Sequence, residues 1–284
     1  MMNRQPDEIV DFHVHLFPDR LFDAIRRRFV ADYKWEVLHK FYWRECVEYL
    51  REAGVGPIVY SNYAHRKGVA RGLNGWNRDL LTETNNVFCF TAYHPDDEDA
   101  LEMAESLLSH PKVMGVKLHL LVQRFYPQDS RLFPLYELVI KKGKYILFHV
   151  GTGPVGNEFV GVAHFRELLD SYPELPAIVA HMGGLEYREF GDLLSRHPRL
   201  YLDTSFSFLP QLGGMFDLGP EFLEEHRERI LYGSDFPNVL FPCAAEIDTL
   251  LGMGLSGEFY QRVFSENGRD LIEKCTGIVL KDRP

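Results

Sequence analysis

The sequence predicts an α/β protein: a (β/α)8 TIM barrel with an aromatic helical insertion after its first strand, formed as a single domain by residues 1–284. Short apolar runs alternate with helical stretches, and glycine, proline or aspartate bounds each run, as is typical of buried parallel strands. The eight runs are Ile9–Leu16, Pro57–Asn62, Val87–His94, Val113–Leu120, Tyr145–Gly151, Ala177–Gly183, Leu200–Ser205 and Ile230–Phe236. Eight units over this length favour the barrel, with a doubly wound open sheet as the competing topology.

The helical stretches between the runs have apolar residues on one face. They are Asp99–Ser109, Leu132–Lys142, Phe165–Ser171, Leu185–Arg196, Pro220–Arg229, Ser256–Phe264 and a closing helix near Arg269–Lys274. The segment Asp32–Tyr49, between the first two strands, is longer than one barrel helix requires and is rich in aromatic residues. It is predicted to be a lid over the site, a dimer contact or an extra helix packed on the barrel.

The composition excludes several classes of protein. There are 31 Lys and Arg against 41 Asp and Glu, a formal net charge of −10, which argues against nucleic-acid binding. No run has the length of a membrane span or a signal peptide, so no membrane association and a cytoplasmic location are expected. The four cysteines lie far apart and form no CxxC motif, which predicts reduced thiols.

Histidines cluster at the carboxyl ends of the predicted strands. Six of the 12 histidines fall there, together with Asp235 at the end of the eighth run. The six are His13, His15, His94, His119, His149 and His181. The carboxyl ends of barrel strands converge on the face that carries active sites, so we expect these side chains to meet.

Side-chain alternation predicts that the polar residues point into the barrel. Residues two apart share one face of a strand, as His13 and His15 do. A polar side chain in an apolar strand is costly unless it is paired or bound to a metal. One such histidine alone is typical of a satisfied core residue, but several with a carboxylate predict a divalent metal site, most simply zinc, with iron or manganese as alternatives. The predicted ligands are His13, His15, His149, His181 and Asp235.

Other polar residues near the strand ends have several interpretations. Lys117 is predicted to be a carbamylated lysine bridging two metals, a contact to the substrate or transition state, or an ion-pair partner. His119 is a candidate substrate contact, and His94 begins a turn signature. Arg66 and Arg124 are candidate anchors for a substrate carboxylate, although such loop arginines are more commonly solvated. The sequence has no Gly-x-Ser-x-Gly motif, which disfavours serine hydrolysis.

Four segments together resemble the amidohydrolase superfamily. They are Asp11–His15, Phe148–Gly151, Ala180–Gly184 and Tyr232–Pro237. The branch with the greatest resemblance is the amidohydrolase-2 group, which includes the aminocarboxymuconate-semialdehyde decarboxylase-like enzymes. Asp203–Ser205 and Glu266–Asn267 also resemble that branch. The match follows chain order over nearly the whole sequence, and the motifs are specific as a set.

The resemblance implies a metal at the mouth of the barrel. The implied ligands are His13, His15, His149 and Asp235. Asp235 is also the implied acid and base, and His181 is either a ligand or a hydrogen-bond partner of the metal-bound water. Some superfamily members have a carboxylated lysine at the position of Lys117, whereas the decarboxylase-like branch usually has one metal and no such lysine. The number of metal ions therefore stays open.

Three functions are compatible with this pattern. The first is hydrolysis of an amide, ester or lactone in a small carboxylated substrate by metal-activated water. In that mechanism Asp235 accepts a proton, His181 stabilises the developing charge, and Lys117 or the metal polarises the carbonyl. The alternatives are nonoxidative decarboxylation of an unsaturated or aromatic acid, and a catalytically inactive metal-binding barrel. A small molecule is the expected partner, and homo-oligomerisation stays open.

Overall fold

A computed structural model describes residues 8–209 and 216–280, and it has the predicted (β/α)8 architecture. Eight parallel strands form one sheet in chain order, from β1 to β8. They are β1 Ile9–His15, β2 Val55–Ser61, β3 Val87–Ala92, β4 Val113–His119, β5 Tyr145–His149, β6 Ala177–Val179, β7 Leu200–Asp203 and β8 Ile230–Leu231. Chain-order pairing of parallel strands excludes the doubly wound alternative, in which the strand order reverses.

Backbone hydrogen bonds between the chain after β8 and β1 bring the two edges of the sheet together. Phe12 N–H donates to the Tyr232 carbonyl at 2.8 Å, and Asp235 N–H donates to the His13 carbonyl at 2.8 Å. His15 N–H donates to the Phe236 carbonyl at 2.7 Å. The closure therefore places Asp235, which follows β8, beside both histidines of β1.

Helices follow or separate all the strands. They are α1 Asp19–Tyr33, α2 Trp43–Glu52, α3 Ala70–Glu83, α4 Ala100–Leu108, α5 Leu120–Gln123, α6 Phe133–Lys142, α7 Val162–Ser171, α8 Tyr187–Arg196, α9 Gly219–His226, α10 Cys243–Gly252, α11 Gly257–Gln261 and α12 Asn267–Thr276. A π-helical turn, Arg262–Glu266, joins the last two. Sequence analysis did not identify α3, because two inward residues of that helix, Asn74 and Asn77, are polar and interrupt its apolar stripe.

The aromatic segment after β1 has two structural parts. Its last part begins α2, which packs on the barrel through the buried residues Cys46, Val47 and Leu50. Its first part lies over the mouth of the barrel, where the Trp35 ring stacks on Phe206 at 5.9 Å between centroids and 4° between planes. The segment is thus both an extra packed element and a cover over the strand ends.

Several strands end earlier than the sequence predicts. β6 ends at Val179 rather than Gly183, and β8 ends at Leu231 rather than Phe236. The backbone leaves the extended region there, because His181 and Asp235 adopt left-handed conformations with φ of 59° and 60°. These two side chains therefore project from the first turns of loops rather than from strands.

Two further predictions concern the cysteines and membrane-spanning helices. All four cysteines are free thiols, and three of them are buried. Within residues 8–209 and 216–280, the helices lack the combination of length and apolar character that a membrane span requires.

Gly115 in β4 provides a test of the barrel packing. A Cβ at this position would lie 1.7 Å from the Tyr145 carbonyl oxygen in β5. We expect Gly115→Ala to destabilise the fold by at least about 2 kcal/mol through overpacking. Gly75→Ala is the matched control, since Gly75 is exposed on α3 with nothing near the added methyl, and it should be neutral or stabilising. Urea unfolding followed by circular dichroism measures both, and equal stabilities would contradict this packing.

Candidate metal centre

Three buried side chains converge where β1 meets the chain after β8. His13 and His15 project from β1, and Asp235 is held beside them by the backbone closure. The His15 Nε2 atom lies 3.0 Å from Asp235 Oδ1, and the His13 Nε2 atom lies 3.4 Å from the same oxygen. One nitrogen from each ring and one carboxylate oxygen therefore face a common point.

The outer nitrogen of each ring has a protein partner. His13 Nδ1–H donates to Asp203 Oδ2 at 2.8 Å, and His15 Nδ1–H donates to the Ser61 carbonyl at 3.3 Å. In the tautomers that these two hydrogen bonds favour, the proton is on Nδ1 and the Nε2 lone pair is directed into the site. Burial lowers the pKa of His13 to about 4, so this imidazole is neutral at physiological pH.

This arrangement fits a divalent metal ion. The ligand atoms of His13, His15 and Asp235 all lie within 4.8 Å of one another. Two lone pairs and a carboxylate oxygen repel one another unless a cation lies between them. Neutral imidazole nitrogens with one carboxylate are also a ligand set that zinc, iron and manganese accept.

A second pair of histidines forms a hydrogen-bond chain beside these residues. His181 Nδ1–H donates to the Ser205 carbonyl at 3.1 Å, and His149 Nδ1–H donates to His181 Nε2 at 3.1 Å. The remaining His149 nitrogen, Nε2, is buried and has no hydrogen-bond partner among the described residues. An unpartnered buried nitrogen is costly, which makes His149 Nε2 a candidate for a further ligand atom. Both His181 nitrogens have hydrogen-bond partners, and the ring also forms, with His13 and Asp203, a second buried group whose ligand atoms lie within 4.8 Å of one another, so its role as a ligand stays a prediction.

Lys117 lies beside His13, next to the nitrogen of that ring that faces the site. Its side chain is fully buried, and Nζ lies 3.3 Å from His13 Nε2. Burial lowers its pKa to about 8, while the charges of Asp203 and Asp235 oppose that shift. Direct contact with a substrate would need access that this amine lacks. The ion-pair and carbamylated interpretations both remain compatible with its position.

An aromatic cavity of about 90 Å³ opens onto the site. His119 lines it and stacks on His149, with 4.1 Å between centroids and 13° between planes. Other walls come from Trp35, Tyr63 and Phe206. None of the described residues that line this inner cavity is a lysine or an arginine. Its charged component is therefore the Asp235 carboxylate.

The predicted carboxylate anchors lie elsewhere. Arg66 is exposed and lines neither of the two cavities described for this protein, so the structure does not bring it to the site. Arg124 is also exposed, but it lines a second cavity that adjoins the first. His94 is buried, and its Nδ1 atom accepts a hydrogen bond from Asp96 N–H at 3.3 Å, as a turn residue does.

Sequence analysis did not assign roles to the residues that orient the histidines. Asp203 is the last residue of β7. It is therefore a polar residue at the carboxyl end of a strand, like the histidines, and the same pattern could have identified it. Gln123 had no such signal. Its side-chain oxygen accepts from His119 N–H at 2.7 Å, while Nε2 donates to the carbonyls of Ala64 at 3.0 Å and Tyr93 at 2.8 Å. Gln123 thereby ties together the loops after β2, β3 and β4.

Comparison with known proteins is consistent with this geometry. A family model described as Amidohydrolase matches residues 10–273. No curated protein matches the chain. Among solved structures, an uncharacterized TIM-barrel protein from Bordetella bronchiseptica has a TM-score of 0.72 at 19% identity, covering 94% of this chain and 99% of that one. A dihydroxybenzoic acid decarboxylase from Polaromonas, with bound manganese and the inhibitor 2-nitroresorcinol, has a TM-score of 0.68 at 20% identity, covering 96% and 97%.

A 5-carboxyvanillate decarboxylase from Novosphingobium aromaticivorans is also similar. It was crystallised with manganese and 4-hydroxy-3-methoxy-5-nitrobenzoic acid. Its TM-score is 0.67 at 14% identity, with 94% of this chain and 95% of that chain covered. At these identities the solved structures support the fold.

Asp203 is expected to control metal affinity without being a ligand. Asp203→Asn keeps the shape but removes the charge that holds the proton on His13 Nδ1. We expect metal affinity to fall about 10- to 100-fold, as happens when such supporting carboxylates are lost. Competition titration with a chelating dye measures this for zinc and manganese. Asp170→Asn, at an exposed position of α7, is the control. An unchanged affinity in Asp203→Asn would contradict the assigned tautomer.

Glu246 provides a test of pH-dependent stability. This α10 carboxyl is buried and accepts a hydrogen bond from Phe208 N–H at 3.2 Å. Burial raises its pKa well above the ordinary value of 4.5. The folded state therefore retains a proton that the unfolded chain loses, so this contribution to stability declines as pH rises from the unfolded pKa to the folded one. Glu246→Gln should raise the melting temperature at neutral pH but have little effect near pH 4. A melting-temperature difference that does not grow with pH would contradict this.

Proposed function

The chain belongs to the amidohydrolase family and is a metal-dependent enzyme, either a hydrolase or a decarboxylase. We propose that it hydrolyses an amide, ester or lactone bond in a small molecule. Zinc is the proposed resident metal, with manganese and iron as alternatives. A catalytically inactive barrel is disfavoured, because the ligand atoms converge and remain oriented by buried hydrogen bonds.

The charge of the inner cavity is the observation that favours hydrolysis over decarboxylation. Among the described lining residues, Asp235 is the charged group, and the imidazoles of His149 and His119 are neutral because burial lowers their pKa well below the ordinary range. A neutral carbonyl group suits these walls. A substrate carboxylate at the same place would face Asp235, and the described lining residues include no lysine or arginine to offset the repulsion, because the Lys117 amine is buried outside the lining.

Each site residue has a distinct task in this proposal. The residues that would hold the metal are His13, His15, His149 and Asp235. A bound divalent metal lowers the pKa of water to about 7 and polarises a carbonyl. The Asp235 carboxylate is positioned to accept a proton from the attacking water, since its second oxygen is not the one that faces the two histidines.

The remaining residues orient and enclose the reaction. His181 accepts the His149 Nδ1 proton and so keeps the opposite nitrogen of that ring directed inward. His119 lines the cavity, and its Nδ1 atom, which has no hydrogen-bond partner in the described part of the chain, can hydrogen-bond the substrate. Trp35 and Phe206 cover the cavity and limit the access of bulk water.

Decarboxylation is the second candidate, favoured by the aromatic walls. Trp35, Tyr63 and Phe206 form surfaces on which a planar unsaturated acid can stack. Two similar proteins are named as decarboxylases of aromatic acids, and both were crystallised with manganese. This similarity also supports decarboxylation as a candidate. In this case the metal itself would have to bind the carboxylate, because the described inner walls have no lysine or arginine.

Activity measurements separate the two candidates. The protein loaded with zinc or with manganese is offered lactones, esters and amides, and separately hydroxybenzoate-type acids. Hydrolysis of esters and lactones is followed by acid release with a pH indicator, hydrolysis of amides by release of ammonia or amine, and decarboxylation by release of carbon dioxide in a coupled assay. Hydrolysis requires one of the first two products, and its loss in Asp235→Asn. Carbon dioxide release without either hydrolysis product would replace the first proposal by the second, and no product from metal-loaded protein would contradict both.

Metal content tests the ligand assignment independently of substrate. We expect His13→Ala and Asp235→Asn to lose most of their metal, because each removes one of the three converging ligands. His226→Ala, on α9, is the control and should retain it. Inductively coupled plasma mass spectrometry gives the stoichiometry. A wild-type value of two ions that falls in Lys117→Ala would support a carboxylated lysine, whereas full metal content in the His13 and Asp235 variants would contradict the site.

A further inference from the structure

A second, larger cavity of about 570 Å³ lies between α1 and the loops that follow β4 and β5. One wall is the inner face of α1, including Leu21, Ile25 and Phe29. The opposite wall includes Val122 and Val155. The mechanism proposed above uses none of this space, although it is several times larger than the inner cavity.

The two cavities adjoin each other. Six residues line both of them: Phe29, Tyr33, Tyr63, Leu121, Val122 and Val155. The inner cavity holds about 90 Å³, which accommodates a reacting group and little more. A larger substrate must therefore extend past the shared residues, with its remaining length in the outer cavity.

The outer walls combine apolar surface with one unbalanced cation. Arg28 and Asp32 both line the cavity and form an ion pair with each other one turn apart on α1. Arg124 lines the opposite side. Its carboxylate partner, Glu158, lies 3.5 Å away and does not line the cavity, and both side chains of that pair are more than half exposed. Such an exposed pair is weak, so a ligand anion can compete for Arg124.

We propose that the outer cavity binds the distal part of the substrate: an apolar chain or ring that ends in a carboxylate at Arg124. This rests on the proposed function for the inner end, where a neutral amide, ester or lactone would lie at the metal ligands. The substrate class is therefore an elongated molecule with a neutral scissile bond at one end and an anion at the other. Apolar contact with α1 supplies affinity, and Arg124 supplies orientation.

Binding of graded probes tests this without turnover. The probes are monoamides of α,ω-dicarboxylic acids, from succinamic acid to sebacic acid monoamide, and plain alkanamides of matching lengths. Isothermal titration calorimetry is performed on metal-free and on zinc-loaded protein. Each methylene buried in the outer cavity should tighten binding about three- to fourfold. At the length that reaches Arg124, the carboxylate series should bind about two- to fivefold more tightly than the plain amides.

Matched variants identify the two walls. Ala24 is exposed on α1 and lines the outer cavity, so Ala24→Trp should block the space and abolish the dependence on length. Ala31→Trp places the same side chain on the same helix outside the cavity and should retain it. Arg124→Gln should remove the advantage of the carboxylate, whereas Arg66→Gln, at an exposed arginine outside both cavities, should not. Melting temperatures confirm that each variant is folded.

The outcomes distinguish this inference from the proposed function. No dependence on length in the wild type, or equal behaviour of the two tryptophan variants, would overturn the outer pocket even if the enzyme is a hydrolase. Length dependence without a carboxylate advantage would overturn the role of Arg124. Conversely, probe binding that follows the expected pattern in metal-free protein would support the pocket even if the hydrolysis assays fail.

Discussion

Asp203 is a fully buried carboxylate at the end of β7 that receives hydrogen bonds from three parts of the barrel. His13 Nδ1–H donates to one oxygen at 2.8 Å. His181 N–H donates to the other at 3.1 Å and Ser205 N–H at 3.2 Å, and the Ser205 hydroxyl donates there as well. Burial raises the pKa of Asp203, but its interaction with His13 and the hydrogen bonds from His13 and Ser205 outweigh burial, so the net shift is downward. The orientation of the whole site depends on this ionised group.

Asp203 and nearby backbone carbonyls together favour one tautomer for each of three histidine rings. Asp203 holds the proton of His13 on the outer nitrogen, and backbone carbonyls do the same for His15 and His181. Neutral rings with inward lone pairs are the form that binds metal. The left-handed residues His181, Phe206 and Asp235 carry backbone strain of order 1–3 kcal/mol each. Surrounding hydrogen bonds offset that strain, and the result is side chains directed where extended strands could not place them.

We propose that the inner cavity holds the reacting group and that the outer cavity recognises the rest of the substrate. The inner cavity is small, aromatic and negatively charged at Asp235, whereas the outer cavity is larger and has its unbalanced cation at Arg124. Specificity in barrels resides in the βα loops. Here α1, the first of the two helices between β1 and β2, forms one wall of the outer cavity, so we propose that the substrate preference arises in part on this helix.

The sequence by itself predicted the barrel and the convergence of His13, His15 and Asp235, because both depend on local pattern. Apolar runs with period-two alternation define strands, and residues at their carboxyl ends must meet once the barrel closes. Tertiary structure alone decided the rest. The hydrogen bond between His149 and His181, which leaves His149 Nε2 without a partner among the described residues, depends on ring contacts between residues 32 positions apart. Arg124 lines a cavity and Arg66 does not, although each is an arginine in a loop after a strand. Periodicity specifies which side of a strand faces inward, but ring orientation, hydrogen-bond partners and cavity walls are set by distances between distant segments.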